Sequence, residues 1–194
     1  SILFGFPLVL KGGIPILIIG LLSIISGYAY TAGPYPLGYN GWGDFFVFCF
    51  FGPIAVSGTY FLQNETISYA SFYSGIIMGS LSVLLLCINN LRDIKTDQRA
   101  GKRTLAVRFG ANFVRMMFIL FIFTSYFSSY YLTFYIDIIN KNSFYLLLLI
   151  TIPLSLLITS NIFTLKGESL NLVFGKVIFF IILYSSLLVA SILV

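Results

Sequence analysis

Asp93 and Asp97 stand four residues apart, and Asn89 lies four residues before Asp93, within the stretch NNLRDIKTDQRAGKRTLAVRFG at 89–110. The apolar run before Asn89 reads as helix, and no Pro or Gly follows until Gly101. If the helix continues, residues four apart share a face, so Asn89, Asp93 and Asp97 form one stripe of oxygen donors flanked by Arg92 and Lys95. Two carboxylates one turn apart suit Mg²⁺, which prefers oxygen and is usually held by one or two carboxylates plus substrate phosphates. Surrounding cations suit the phosphates: Arg grips two oxygens in a fork, and Lys supplies a point charge. A metal–diphosphate site is the chemistry this pattern points to. The plainer alternative is a solvated loop whose charges pair with one another.

Context favours the first reading. The chain is 194 residues long, 59% hydrophobic and only 9% charged, with a mean hydropathy of +1.01. Soluble domains carry about 25% charged residues, so a membrane protein is expected before any motif is considered. Of eleven basic residues and six acidic ones, six and two fall between Asn89 and Gly110. The net charge of +5 follows from a basic loop between spans, by the positive-inside bias, and does not call for nucleic acid. The chain has no histidine, which excludes imidazole chemistry here, and Cys49 and Cys87 lie in apolar runs with no metal or disulfide spacing.

Six stretches are long and apolar enough to span a bilayer, at roughly 14–30, 44–63, 67–88, 112–136, 144–165 and 171–193. The opening ten residues read as the end of a seventh helix, with a first turn at Lys11-Gly12-Gly13. The expected fold class is all-α, a polytopic membrane helix bundle, treated as a single domain over 1–194 that is incomplete at its N-terminal side. The run TAGPYPLGYNGWG at 31–43 carries turn chemistry. Alternating crossings put the links at 31–43, 89–111 and 166–170 on one side of the membrane. The links at 11–13, 64–66 and 137–143 lie on the other. The first set holds most of the Lys and Arg, so that side is expected to be cytoplasmic, or stromal in a plastid. Tyr28, Tyr30, Tyr35, Tyr39 and Trp42 read as an aromatic belt at that interface, with Tyr35 or Tyr39 also able to line a pocket. Tyr126, Tyr130, Tyr131 and Tyr135 read as the opposite belt. Lys176, near the start of the last span, either snorkels to the interface or faces a polar cavity.

The stretch 89–110 resembles the second aspartate-rich motif of the UbiA-type membrane prenyltransferases. More narrowly, it is similar to the branch acting on 1,4-dihydroxy-2-naphthoate, whose pattern NNxRDxxxDxxxGKxTLxVRxG it matches at every fixed position. Residues 30–63, YTAGPYPLGYNGWGDFFVFCFFGPIAVSGTYFLQ, and more weakly 167–177, GESLNLVFGKV, extend the resemblance along the chain. It implies a nine-helix fold of which this chain supplies about the last seven, with the family's first aspartate-rich motif upstream. It implies transfer of a phytyl or polyprenyl group from its diphosphate to the naphthoate, in menaquinone or phylloquinone synthesis. Mg²⁺ is implied on Asp93 and Asp97, with Arg92 acting beside them. Lys102, Arg103, Asn89 and Asn90 are implied at the diphosphate, and Tyr39, Asp44 and Lys176 near the acceptor or cap. Thr104, Arg108 and Gly110 are expected to shape the loop and start the next helix. Partners are a prenyl diphosphate, an aromatic acceptor and the bilayer. A plastid membrane or a bacterial inner membrane is implied, and the heavy use of Ile, Phe, Tyr, Asn and Leu suggests an AT-rich genome, such as a plastid or a low-GC bacterium. Rival readings are a relative acting on homogentisate, hydroxybenzoate, haem or chlorophyllide, or a catalytically incomplete membrane subunit. A transporter is disfavoured because carboxylates inside the spans and paired broken helices are missing.

Overall fold

The computed structural model describes residues 2–193, and every regular element among them is helical. The helices are α1 (Ile2–Thr31), α2 (Gly43–Cys49), α3 (Ala55–Asn64), α4 (Tyr69–Arg92), α5 (Ile94–Arg99), α6 (Leu105–Phe134), α7 (Lys141–Thr164) and α8 (Leu170–Leu193). A π-helical segment, Phe50–Ile54, joins α2 to α3, so these read as one span of 43–64 with a bulge at its centre. Six helices are long and apolar enough to cross a membrane. The bundle expected from hydropathy is therefore the bundle observed.

The differences fall at helix breaks. The expected first turn is a single residue, Gly13 (φ 65°, ψ −152°), with helix on both sides of it. The span expected from 112 begins at Leu105, because one helical turn precedes a break at Gly110 (φ 83°, ψ 170°). Both backbones lie in the left-handed half of conformational space that glycine enters without penalty. The Thr104 side chain caps this turn by accepting from Val107 N at 3.4 Å, as its position before an apolar run suggests.

α4 is the most buried of the spans. Its Gly75 and Gly79, in the spacing G-x-x-x-G, face the bulge between α2 and α3. A Cβ on Gly52 would fall 2.6 Å from Gly75 O and 2.7 Å from Gly79 Cα, and one on Gly79 would fall 2.5 Å from Phe48 O. Small residues let two backbones meet this closely, which is how membrane helices gain dispersion energy where no hydrophobic drive exists between them. Pro53 removes a backbone donor at the same place, and the chain answers with wider π-type turns. This crossing fixes α2 against α4, and so fixes Asp44 against Asn90 two turns and three turns away respectively.

The other side of α4 packs on α6 and α8 through Leu81, Leu84, Ile88, Val114, Phe118, Val177 and Phe180. A buried polar seam crosses this core. The Tyr126 hydroxyl donates to Thr151 Oγ1 at 2.9 Å, and Ser129 Oγ and Tyr184 Oη share a bond of 2.8 Å. The expectation of Tyr126 as a headgroup anchor is thus corrected: it points into the bundle. Tyr131 does belong near the far rim, stacked on Tyr73 with centroids 4.3 Å apart. Cys87 is buried and Cys49 half-buried, both as free thiols.

The grouping of the links at two ends holds in the contacts. Arg103 N donates to Tyr39 O, and Arg92 Nη1 donates to Asn171 Oδ1 at 2.8 Å, so the three links expected on one side meet there. At the other end, Gly12 approaches Leu62, and Asn140 N donates to Ser191 O at 3.3 Å.

Candidate functional site

The polar cap is assembled from four pieces of chain: the loop between α1 and α2, the end of α4, α5 with the turn after it, and the start of α8. α4 stops at Arg92. Asp93 departs slightly from helical geometry (φ −97°, ψ 9°) and α5 resumes at Ile94. The four-residue hydrogen bonding nevertheless runs through the break, with Asp93 N donating to Asn89 O at 2.9 Å and Asp97 N to Asp93 O at 2.8 Å. Asn89, Asp93 and Asp97 therefore keep the register expected of a continuous helix.

Each acid meets a different base. Arg92 grips Asp93 in a two-pronged bond, Nε to Oδ1 and Nη2 to Oδ2, both at 2.8 Å. Its remaining nitrogen reaches Asn171 on α8. Asp97 is buried, and Lys102 Nζ lies 3.0 Å from its Oδ1. The turn Ala100-Gly101 (Gly101 φ 70°) brings Lys102 back over α5, closed by Lys102 N donating to Asp97 O at 2.9 Å. The Arg92 guanidinium holds the Asp93 carboxyl below its ordinary pKa, and the Asp97 carboxylate holds Lys102 above its own. The ammonium of Lys102 also sits 5.1 Å from the centre of the Tyr39 ring, a cation–π contact.

Below this layer Asp44 is buried at the first turn of α2. Asn90 Nδ2 faces both its carboxylate oxygens at 3.5 Å, a long contact. An apolar groove of about 670 Å³ opens alongside, between the second half of α1 and the α2–α3 span. It runs from Tyr30 and Phe46 near the cap down to Ser23 and Ala55.

The structure thus brings together Asp93, Asp97, Arg92, Lys102, Tyr39, Asn89 and, one layer deeper, Asn90 with Asp44. Three expected members are not with them. Lys95 is exposed on α5, on the side away from the stripe. Arg103 lines a separate cleft with Tyr35, Asn40, Arg108 and Phe109. Lys176 sits on the exposed face of α8, where its long stem can snorkel. Helical rotation explains the last case: Val173, Val177 and Phe180 take the buried face, and Lys176 falls off it. Asn171 was not anticipated. Its one available signal was an uncharged amide in the first turn of a helix whose preceding turn, at 166–170, shares the cap.

Two hard oxygen ligands one turn apart fit the donor chemistry of Mg²⁺ completed by phosphate oxygens. Among the described residues, no group of three or more acidic, Cys or His side chains converges into a cage that would hold a metal unaided. The donor set fits an ion that arrives with its phosphate ligand.

Six membrane-spanning helices capped at one end by interlocked acids and bases define an integral membrane protein with a polar site at the bilayer surface. The chain belongs to the UbiA prenyltransferase family, whose model matches residues 1–184. It is similar to the 1,4-dihydroxy-2-naphthoate octaprenyltransferase of Mycobacterium tuberculosis, 41% identical over 116 residues that cover 60% of this chain and 40% of that protein. The Haemophilus influenzae protein of the same name is 48% identical over 93 residues, 48% of this chain and 30% of its own length. The 2-carboxy-1,4-naphthoquinone phytyltransferase of Synechocystis is 29% identical over 89 residues, 46% of this chain and 29% of that protein. The chain therefore spans less than half the length of the curated relatives it matches. No solved structure matches it.

Proposed function

We propose that this chain forms the diphosphate-binding part of a prenyltransferase that moves a prenyl group from its diphosphate to 1,4-dihydroxy-2-naphthoate. The observation that carries the reading is the pairing of Asp93 with Arg92 and of Asp97 with Lys102 in one cap, beside a groove of apolar walls. A diphosphate needs cations for its oxygens, and a prenyl tail needs a dry, apolar channel. Both are supplied within one span of each other. Relatives named for 1,4-dihydroxy-2-naphthoate support that acceptor, and the relatives' names include both octaprenyl and phytyl transfer.

Asp93 and Asp97 would hold Mg²⁺, which when bound acts as a Lewis acid that offsets charge on the diphosphate. Arg92 and Lys102 donate to the phosphate oxygens, and their charge stabilises the leaving group as the bond from the allylic carbon to oxygen breaks with its electron pair. Asn171 aims Arg92. An electron-rich ring carbon of the acceptor forms the new bond to the allylic carbon, and the ring's carboxylate leaves as carbon dioxide, the electron pair of the broken carbon–carbon bond returning to the ring. Tyr39 covers the cap under Lys102. Asp44 is a positioning residue, since it is buried and meets Asn90 rather than the opening. The Phe46 and Tyr30 walls exclude water from the cationic carbon. The cap faces the cytoplasm of a bacterial cell, or the stroma in a plastid, in keeping with its concentration of Lys and Arg.

The full-length protein, purified in detergent or nanodiscs, would be incubated with dihydroxynaphthoate and either octaprenyl or phytyl diphosphate, with and without Mg²⁺. Prenylated, decarboxylated product that needs the divalent ion is the expected result. Product formed only from hydroxybenzoate or homogentisate would move the protein to another branch.

A further inference from the structure

Arg103 and Arg108 line a cleft of about 380 Å³ with Tyr35, Asn40 and Phe109, where the loop between α1 and α2 lies on the single helical turn before Gly110. No acid lines it. Among the described residues the ion pairs are Arg92–Asp93 and Lys102–Asp97, so both of these guanidinium groups are free of carboxylate partners. The loop is pressed onto this corner: a Cβ on Gly41 would fall 2.9 Å from the Arg103 backbone oxygen and 3.3 Å from Arg108 Nη1. Arg103 and Arg108 line one cleft that no carboxylate lines among the described residues, so its charge complements an anion.

The surroundings indicate which anion. Tyr35, Trp42, Phe45, Phe109 and Phe113 are all large, exposed rings around this corner, at the ends of two membrane spans. Tyr and Trp, here Tyr35 and Trp42, gather at the headgroup level of a bilayer, and basic pockets between helices on the positively charged side take anionic headgroups. The donor's diphosphate is already provided for, since the cleft shares no residue with Asp93, Asp97, Asn90 or Lys102. We infer that this cleft binds the phosphate headgroup of an anionic membrane phospholipid. The two arginines fork onto the phosphate oxygens, and Tyr35 and Phe109 pack on the glycerol and upper acyl region. Asn40 donates through whichever amide hydrogen is left after its bond to Pro36 O at 2.8 Å.

The full-length protein in nanodiscs of phosphatidylcholine with a minor share of phosphatidylglycerol provides the test, with retained lipids counted by native mass spectrometry. Wild type should retain phosphatidylglycerol preferentially. The Arg103→Gln/Arg108→Gln variant should retain at least about tenfold less, the scale of losing charge-assisted bonds. The exposed pair Lys95→Gln/Arg99→Gln, with the same change in charge, should match wild type. Equal loss in both variants would mean diffuse attraction and overturn the inference. So would displacement of the lipid by inorganic pyrophosphate, which would make the cleft a donor subsite. A phosphatidylglycerol with a photoreactive group near its glycerol adds a measurement that needs no variant: wild-type labelling should map to Tyr35 or Phe109. Labelling confined elsewhere would also overturn it.

Discussion

Arg92 and Asn171 are bonded at 2.8 Å although 79 residues separate them, and this bond ties the end of α4 to the first turn of α8. The same guanidinium closes on Asp93 with its other two nitrogens. Arg92 is thus aimed from both sides. Replacing Asn171 with Leu should leave the bundle folded and release one side of the grip. Hydrogen bonds to charged groups contribute about 1.5–3 kcal/mol when buried, and this one is exposed, so a loss of about 1 kcal/mol or less in stability is expected. Prenyl transfer should fall about tenfold, read as a rise in KM for the prenyl diphosphate. Unchanged kinetics would leave Asn171 as a surface contact only.

Asp93→Asn and Asp97→Asn should both reduce transfer by about a hundredfold or more, the scale of removing one preorganised charged group from an electrostatically driven site. They should differ in one respect. Asp97→Asn also frees Lys102, whose ammonium then loses its 3.0 Å partner. Its reactivity toward an amine-directed label should rise in Asp97→Asn and not in Asp93→Asn. A well-folded Asp93→Asn protein with near-normal turnover would remove the metal role.

The contact between the α2–α3 bulge and α4 should be the most substitution-sensitive place in the core. Gly79→Ala puts a methyl 2.5 Å from the Phe48 carbonyl oxygen, a backbone atom that cannot swing away. Overpacking of this kind costs about 1–3 kcal/mol, and it should also shift Asp44 relative to Asn90. Gly175→Ala is the matched control, because nothing lies within 4 Å of its added methyl. Thermal unfolding in detergent should separate the two; similar midpoints would contradict the tight crossing.

The cap should have a stability plateau between two losses. Asp93 has a lowered folded pKa, because Arg92 favours its charged form. Its contribution is present above the ordinary carboxylate range and disappears as pH falls through the lowered folded value. Lys102 has a raised folded pKa, because Asp97 favours its charged form. Its contribution is present below the ordinary lysine value and disappears as pH rises through the raised one. Both side chains are about a third exposed, at 36% and 33%, so each effect is small and screened by salt. Protection from hydrogen exchange at 93–104, taken relative to the intrinsic rate at each pH, should be greatest between these limits, and Arg92→Gln should weaken the acid-side loss. A profile flat from acid to alkali would deny that the pairs hold the cap.

Hydropathy and spacing were enough for the six spans, the shared end of three links, and the register of Asn89, Asp93 and Asp97, because each depends on length, polarity and helical period along one stretch of chain. Pairing across the cap was a different matter. Lys102 and Arg103 are adjacent and chemically alike, yet one turns to Asp97 and the other to the cleft beside Tyr35. Arg92 could have served any neighbouring acid, and its second tie came from α8. Those outcomes depend on where helices cross and end. The Gly52–Gly79 contact sets α2 against α4, Gly101 folds Lys102 back, and Gly110 turns Arg108 out of the span. Helical periodicity carries a side chain's direction within its own element. Only the packing of separate elements decides which charges come within reach of one another.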